Sequence, residues 1–172
     1  MNGIRFTGIA SEEELKSCPG IAGEERFNKG PVAVIECVQE IPCNPCEHAC
    51  SSGAILVGQP ITRLPVLDGT KCIGCGGCLA ACPGLAIFLV HKHYTDTTSL
   101  VEFPYEYLPL PEEGTVVPCG GRDGAFIADG KVVKIRKTKQ SDGTALILVE
   151  VPKDFFMDIR TICRKGVPGG KS

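Results

Sequence analysis

The chain has 172 residues, 43% of them hydrophobic and 22% charged, a composition that suits one modest folded domain with appendages and argues against a disordered chain. Its formal net charge of -2 speaks against the dense positive face on which nucleic-acid binding rests, and no apolar run approaches the roughly 20 residues that a membrane span requires. The start, Met1-Asn2-Gly3-Ile4-Arg5-Phe6, lacks the basic stretch and apolar core of an export signal, so the expectation is a cytoplasmic chain whose 11 cysteines are not a disulfide framework.

In chain order, residues 1–30 are rich in glycine and charge and are expected to form an N-terminal arm. Ser11 and Glu14 are spaced as a capping box before a short helix that Pro19 and Gly20 end. Residues 31–92 follow as the cysteine-bearing unit. Pro31 to Glu36 reads as a strand, Gly53 to Val57 and Leu64 to Leu67 as strands closed by a turn at Asp68-Gly69, and Leu85 to Val90 as the last strand. One-turn helices are expected after Cys46 and Cys78.

Within this unit the cysteines fall in two runs: Cys43, Cys46, Cys50, then Cys72, Cys75, Cys78, Cys82 with Pro83 directly behind. The second run, C-x2-C-x2-C-x3-C-P, has the spacing that wraps thiolates round an iron-sulfur cube, because two-residue gaps let a tight loop present three sulfurs while its N–H groups point at the inorganic sulfides. Gly74, Gly76 and Gly77 permit that wrapping. Zinc is disfavoured, since four cysteines at these gaps exceed what one tetrahedral ion uses from a single run.

Sliding the sequence by 32 positions lays Cys43 on Cys75, Cys46 on Cys78, Cys50 on Cys82, Ala54 on Ala86 and Ile55 on Ile87, the mark of a duplicated unit with two cluster sites. If the fourth cysteine of each run serves the other cluster, Cys50, Cys72, Cys75 and Cys78 form one complete set, and Cys43, Cys46 and Cys82 need a fourth partner. The residue overlying Cys72 is Glu40, and Ser51 stands where Pro83 would predict a proline. Cys37 is the leading candidate, because Val38 to Pro42 can loop out and return a sulfur to that corner. The alternatives are a carboxylate from Glu40, a three-iron (3Fe-4S) cluster, or a thiol from Cys18 or Cys119. Away from the runs, Cys18, Cys119 and Cys163 read as buried small hydrophobes. Two oxidised cubes would each add about -2 and bring the loaded chain to roughly -6.

Beyond residue 92 the character changes. Residues 93–114 carry Pro104, Pro109 and Pro111 among Phe103, Tyr105 and Tyr107, and are expected to be an extended linker laid on a surface. Residues 115–172 alternate apolar runs with turns at Asp129-Gly130 and Ser141-Asp142-Gly143, as in a small hairpin-rich β extension that lids the cluster unit or docks partner subunits. The basic stretch of Lys131, Lys134, Arg136, Lys137 and Lys139 reads as one solvated face of a strand.

No catalytic constellation emerges. His48, His91 and His93 make no triad or metal set, and Gly120 to Gly124 is too short for a dinucleotide loop. The chemistry of any substrate is therefore expected to belong to a partner.

The block Lys-Cys-Ile-Gly-Cys-Gly-Gly-Cys-Leu-Ala-Ala-Cys-Pro, Lys71 to Pro83, resembles the dicluster 4Fe-4S ferredoxin family over about residues 31–92. More narrowly, the stretch from Gly30 to Glu47 with the added β unit is similar to small iron-sulfur subunits of flavin-dependent amino-acid or amine dehydrogenases of the hydroxyproline, sarcosine or opine type. The resemblance implies an α+β, duplicated dicluster ferredoxin-like fold carrying two 4Fe-4S clusters. It further implies an electron-relay subunit of a hetero-oligomer whose flavoprotein partners bind FAD, FMN or NAD. A freely diffusing ferredoxin is the first alternative, and a structural or sensory cluster protein the second.

Overall fold

The computed structural model describes residues 2–141 and 143–164, so Asp142 of the expected turn and the final eight residues of the extension lie outside the described residues. The arm holds two short helices, α1 (Ile4–Thr7) and α2 (Glu12–Lys16). The capping box is present: Glu14 N–H donates to Ser11 Oγ at 3.3 Å, and Ser11 N–H donates to Glu14 Oε2 at 2.7 Å. The same Glu14 carboxylate accepts from the amide of Ile4 and so ties α1 to α2. A 3-10 segment, Glu24–Lys29, leads into β1 (Val32–Ile35), whose four residues are all buried.

Next come α3 (Pro45–His48), β2 (Ile55–Leu56), β3 (Val66–Leu67), α4 (Gly77–Ala81) and β4 (Ile87–His91). β2 and β3 pair with each other, and β1 pairs with β4 in the register Ala33 to Leu89 and Ile35 to Ile87. The turn at Asp68-Gly69 lies after β3 and leads to Cys72 rather than closing the β2–β3 pair.

The remaining strands are β5 (Thr98–Tyr105), β6 (Val116–Gly120), β7 (Phe126–Arg136), β8 (Ala145–Pro152) and β9 (Thr161–Ile162). With β1 and β4 they make one seven-stranded antiparallel sheet in the order β1-β4-β5-β8-β7-β6-β9. Mostly sheet with a few short helices, the architecture is α+β.

Two expectations are corrected. Residues 93–114 are not an extended linker throughout, because β5 runs through them between β4 and β8. Val101, Phe103 and Tyr105 alternate inward along it, a period of two that the prolines mask. Pro104 is tolerated because β4 pairs with β5 only as far as Glu102, so the ladder on that side has ended. Second, Asp129-Gly130 is not a turn. β7 runs straight through it, and glycine is needed there for space, since a Cβ on Gly130 would lie 2.6 Å from Val149 Cγ1 and 2.8 Å from Cys119 Sγ. The chain reverses instead at Gly121 to Gly124, where Gly121 N–H donates to Ala125 O at 2.9 Å and Gly124 has φ +77°.

The sheet is curled, for its two ends meet. Glu36, directly after edge strand β1, accepts from Arg122 Nε and from Arg160 Nε, each at 2.8 Å, and Arg160 directly precedes edge strand β9. Burial raises the Glu36 pKa, but hydrogen bonds and charge from the two guanidiniums outweigh it and hold the carboxyl below its usual range. Arg160 also stacks on Phe88, 4.7 Å from the ring centroid. Register assigns Val34, Phe88, Val101, Phe103, Ile147 and Val149 to the enclosed side of the curl, which is the core. The alternate residues Ala33, Ile35, Ile87 and Leu89 point to the other face, where the cysteines gather.

Candidate cluster-binding site

On that face lie two voids, and each is lined by four thiols. The first has Cys50, Cys72, Cys75 and Cys78 around it, Ala33 and Leu89 on the sheet side, and Ile55, Ile73 and Gly74 about its rim. The second has Cys37, Cys43, Cys46 and Cys82, with Ile35 and Ile87 on the sheet side and Ile41, Arg63 and Pro65 at its edge. The structure thus brings together the complete set of the crossed spacing, and beside the incomplete set Cys43, Cys46 and Cys82 it places the candidate Cys37. Among the described residues, no three His, Cys, Asp or Glu side chains converge as they would on a single metal ion. The thiols surround space instead, which suits a core with several metal atoms better than one zinc.

Local geometry explains the crossing. Cys46 lies within α3 and Cys50 just beyond its end, while Cys78 lies within α4 and Cys82 is its C-terminal cap. Each helix therefore gives one thiol to each void. The two helices pack closely, and a Cβ on Gly77 would lie 3.1 Å from Ala49 O. The loop before α4 depends on glycine: Gly74 has φ +68°, and a Cβ there would meet Pro31 O at 2.7 Å.

Burial and mutual charge act on several of these thiols. Burial, reinforced by Cys72, Cys50 and Cys75, pushes the Cys78 thiol up to about 12. Burial and the charge of Cys82, Cys43 and Cys37 push Cys46 up to about 11, and Cys37 and Cys43 are raised for the same two reasons. Four thiolates cannot share such a space without a cationic centre to neutralise them, so the donor set fits a metal cluster. Cys50 differs, because hydrogen bonds from Ser52 and from backbone amides, Ala54 N–H at 3.1 Å among them, outweigh burial and lower its pKa.

The competing candidates stand elsewhere. Glu40 is exposed and lines neither void. Cys18 is buried, and its thiol donates to Ile35 O at 3.2 Å and to Cys37 O at 3.7 Å, behind the second void rather than in its wall. Cys119 lies fully buried in β6, near Cys163, and burial raises its thiol to about 12. His48 pairs with Asn44 and His93 with Asn28.

Three charged groups escape the sequence reading. Arg26 in the arm donates to Gly69 O at 2.7 Å, Pro31 O at 2.9 Å and Cys72 O at 2.8 Å, and so pins the start of the second cysteine loop. A lone arginine in a charged segment carries no spacing signal. The Glu36 cluster is equally silent, because its partners are 86 and 124 residues away. Arg136 is not simply solvated as expected: its guanidinium forms a two-point pair with Glu102.

Comparison with known proteins agrees with this chemistry. Residues 65–88 match the family described as 4Fe-4S binding domain. This segment carries a ferredoxin-type 4Fe-4S binding motif. The chain is 38% identical over 80 residues to an uncharacterized ferredoxin of Methanocaldococcus jannaschii, covering 45% of this chain and 49% of that one. It is 30% identical over 122 residues to Protein Pixie of Drosophila melanogaster, covering 62% and 20%. It is 46% identical over 48 residues to the polyferredoxin-like subunit of an aliphatic sulfonate oxidoreductase of Pyrococcus furiosus, covering 28% and 27%. The chain thus spans half or less of the length of these relatives. No solved structure matches it. Among the described residues no helix is long and apolar enough to cross a membrane.

Proposed function

We propose that the chain is an electron-relay subunit of an oxidoreductase complex, holding one 4Fe-4S cluster on Cys50, Cys72, Cys75 and Cys78 and a second on Cys37, Cys43, Cys46 and Cys82. The observation that carries this reading is the pair of adjacent voids, each ringed by four thiols. When bound, such clusters take up and release single electrons. The residues of the chain set the conditions. Thiolates neutralise the metal core, Ala33, Ile35, Ile87 and Leu89 exclude water on the sheet side, and the Ala54 amide donates to Cys50 Sγ.

Helices α3 and α4 each serve both sites, so the proposed centres are close neighbours, as a relay requires. Cys75 is exposed and gives one centre an edge toward solvent. The other chains are proposed to include a flavoprotein oxidising an amino acid or amine, which accords with the sequence resemblance; the similarity to an oxidoreductase subunit supports the assembly, not the substrate.

Anaerobic purification from native cells tests the reading. It should give about eight iron and eight acid-labile sulfide per chain, in an assembly that also contains flavin. A zinc-only chain would overturn the cluster assignment. A flavin-free monomer with full iron would overturn the subunit role and favour a diffusible ferredoxin.

A further inference from the structure

Cys75, the exposed member of its set, borders an open hollow of about 250 Å³ whose walls include Leu89, Leu100, Leu148, Glu102 and Arg136. Adjacent registers place Leu89, Glu102 and Leu148 side by side on β4, β5 and β8, and Arg136 reaches them from the end of β7. The Glu102 side chain is only 3% exposed, a position in which a carboxylate needs a fixed partner. Arg136 supplies it, donating from Nε at 2.7 Å and from Nη2 at 2.8 Å to the two carboxylate oxygens.

The pair has a direction. A Cβ on Gly76 would lie 2.8 Å from Arg136 Nη2 but 3.6 Å from Glu102 Oε2, so the cationic end sits closer to the cysteine loop than the anionic end. Gly76, with φ +77°, makes room for it. The arginine lies outside the 65–88 segment that matches the 4Fe-4S binding family, so the added strands deliver a charge to the cysteine loop.

We propose that Arg136, held by buried Glu102, raises the reduction potential of the cluster on Cys50, Cys72, Cys75 and Cys78. The inference rests on the ligation proposed above. Reduction places one more negative charge on a centre already surrounded by four thiolates, and a fixed guanidinium beside Cys75 stabilises the reduced form more than the oxidised one. Arginine is suited to the task because its planar fork is locked by two bonds to one carboxylate, whereas a lysine ammonium would not be.

The test is a redox titration of the whole, anaerobically loaded chain, followed by electron paramagnetic resonance, which resolves the two clusters. In Arg136→Met one cluster should become harder to reduce, its reduced-to-oxidised ratio at a fixed potential falling on the order of tenfold, about 59 mV for a one-electron couple. The other cluster should stay put. Arg136→Lys should fall between wild type and Arg136→Met. Glu102→Gln, which removes the negative partner but leaves an acceptor, should move the same cluster in the opposite direction. Loss of packing would not give opposite signs for the two halves of one pair.

Unmoved midpoints in Arg136→Met, equal shifts of both clusters, or shifts of the same sign in the two variants would each overturn the proposal. If Arg136→Met fails to retain iron, Arg136→Lys and Glu102→Gln decide by the same criterion. Iron and sulfide analysis separates this failure from that of the ligation: a wild-type chain without them overturns both, whereas loaded protein with unmoved midpoints overturns only the role of Arg136.

Discussion

Around one void, Cys72, Cys75 and Cys78 come from a single tight loop shaped by Gly74 and Gly76, and the chain needs only Cys50 from elsewhere. Around the other, Glu40 stands where the thiol corresponding to Cys72 would be, and the fourth thiol lining the void is that of Cys37, which follows β1. Ile35, two residues earlier and the last residue of β1, lines the same void. A loop motif can therefore carry its own geometry, while beside a run that lacks one member a thiol can come from the segment just after a strand, provided the strand end is fixed. What fixes it is Glu36, held between Arg122 and Arg160.

The sharpest way to break this comparison is to remove the borrowed thiol. Cys37→Ala should cut iron content by about half and abolish one paramagnetic signal while sparing that of the Cys72 loop. Glu40→Gln should leave both signals intact, and loss of a cluster in that variant would reassign the ligand. Next in size is the clamp behind Cys37. Glu36→Ala leaves Arg160, 5% exposed, without its carboxylate, and should destabilise the fold by about 3–5 kcal/mol, read from chemical denaturation under anaerobic conditions. A cost near zero would show that the curled sheet does not depend on this cluster of charges.

A smaller effect is expected on the other side. Gly76→Ala forces a side chain into a positive φ against Arg136, and should lower stability by about 1–3 kcal/mol while disturbing the signal of the Cys72 loop first. Cys18→Ala is the mildest. It removes a buried thiol that donates to Ile35 O and should cost about 1 kcal/mol with full iron retained; loss of iron would make Cys18 a ligand after all.

The division between cluster unit and β extension also looks different in three dimensions. β8 pairs along the whole of β5, and the charges of Arg122 and Arg160 reach Glu36. The strands after residue 115 thus share one sheet and one core with the strands that line the voids.

The sequence by itself determined what is local. Two- and three-residue gaps between cysteines, the capping pair Ser11 and Glu14, and the short helices expected after Cys46 and Cys78, which begin one residue before each of them, depend on residues within one turn or loop, where backbone geometry ties spacing to shape. The tertiary structure decided the rest: that β5 is a strand despite Pro104, that Gly130 is a point of crowding and not a turn, and that Arg26, Arg122, Arg136 and Arg160 are structural or electrostatic partners rather than solvated charges. These features arise from strand pairing and ion pairs between residues far apart in the chain, and such contacts leave no periodicity in any one segment.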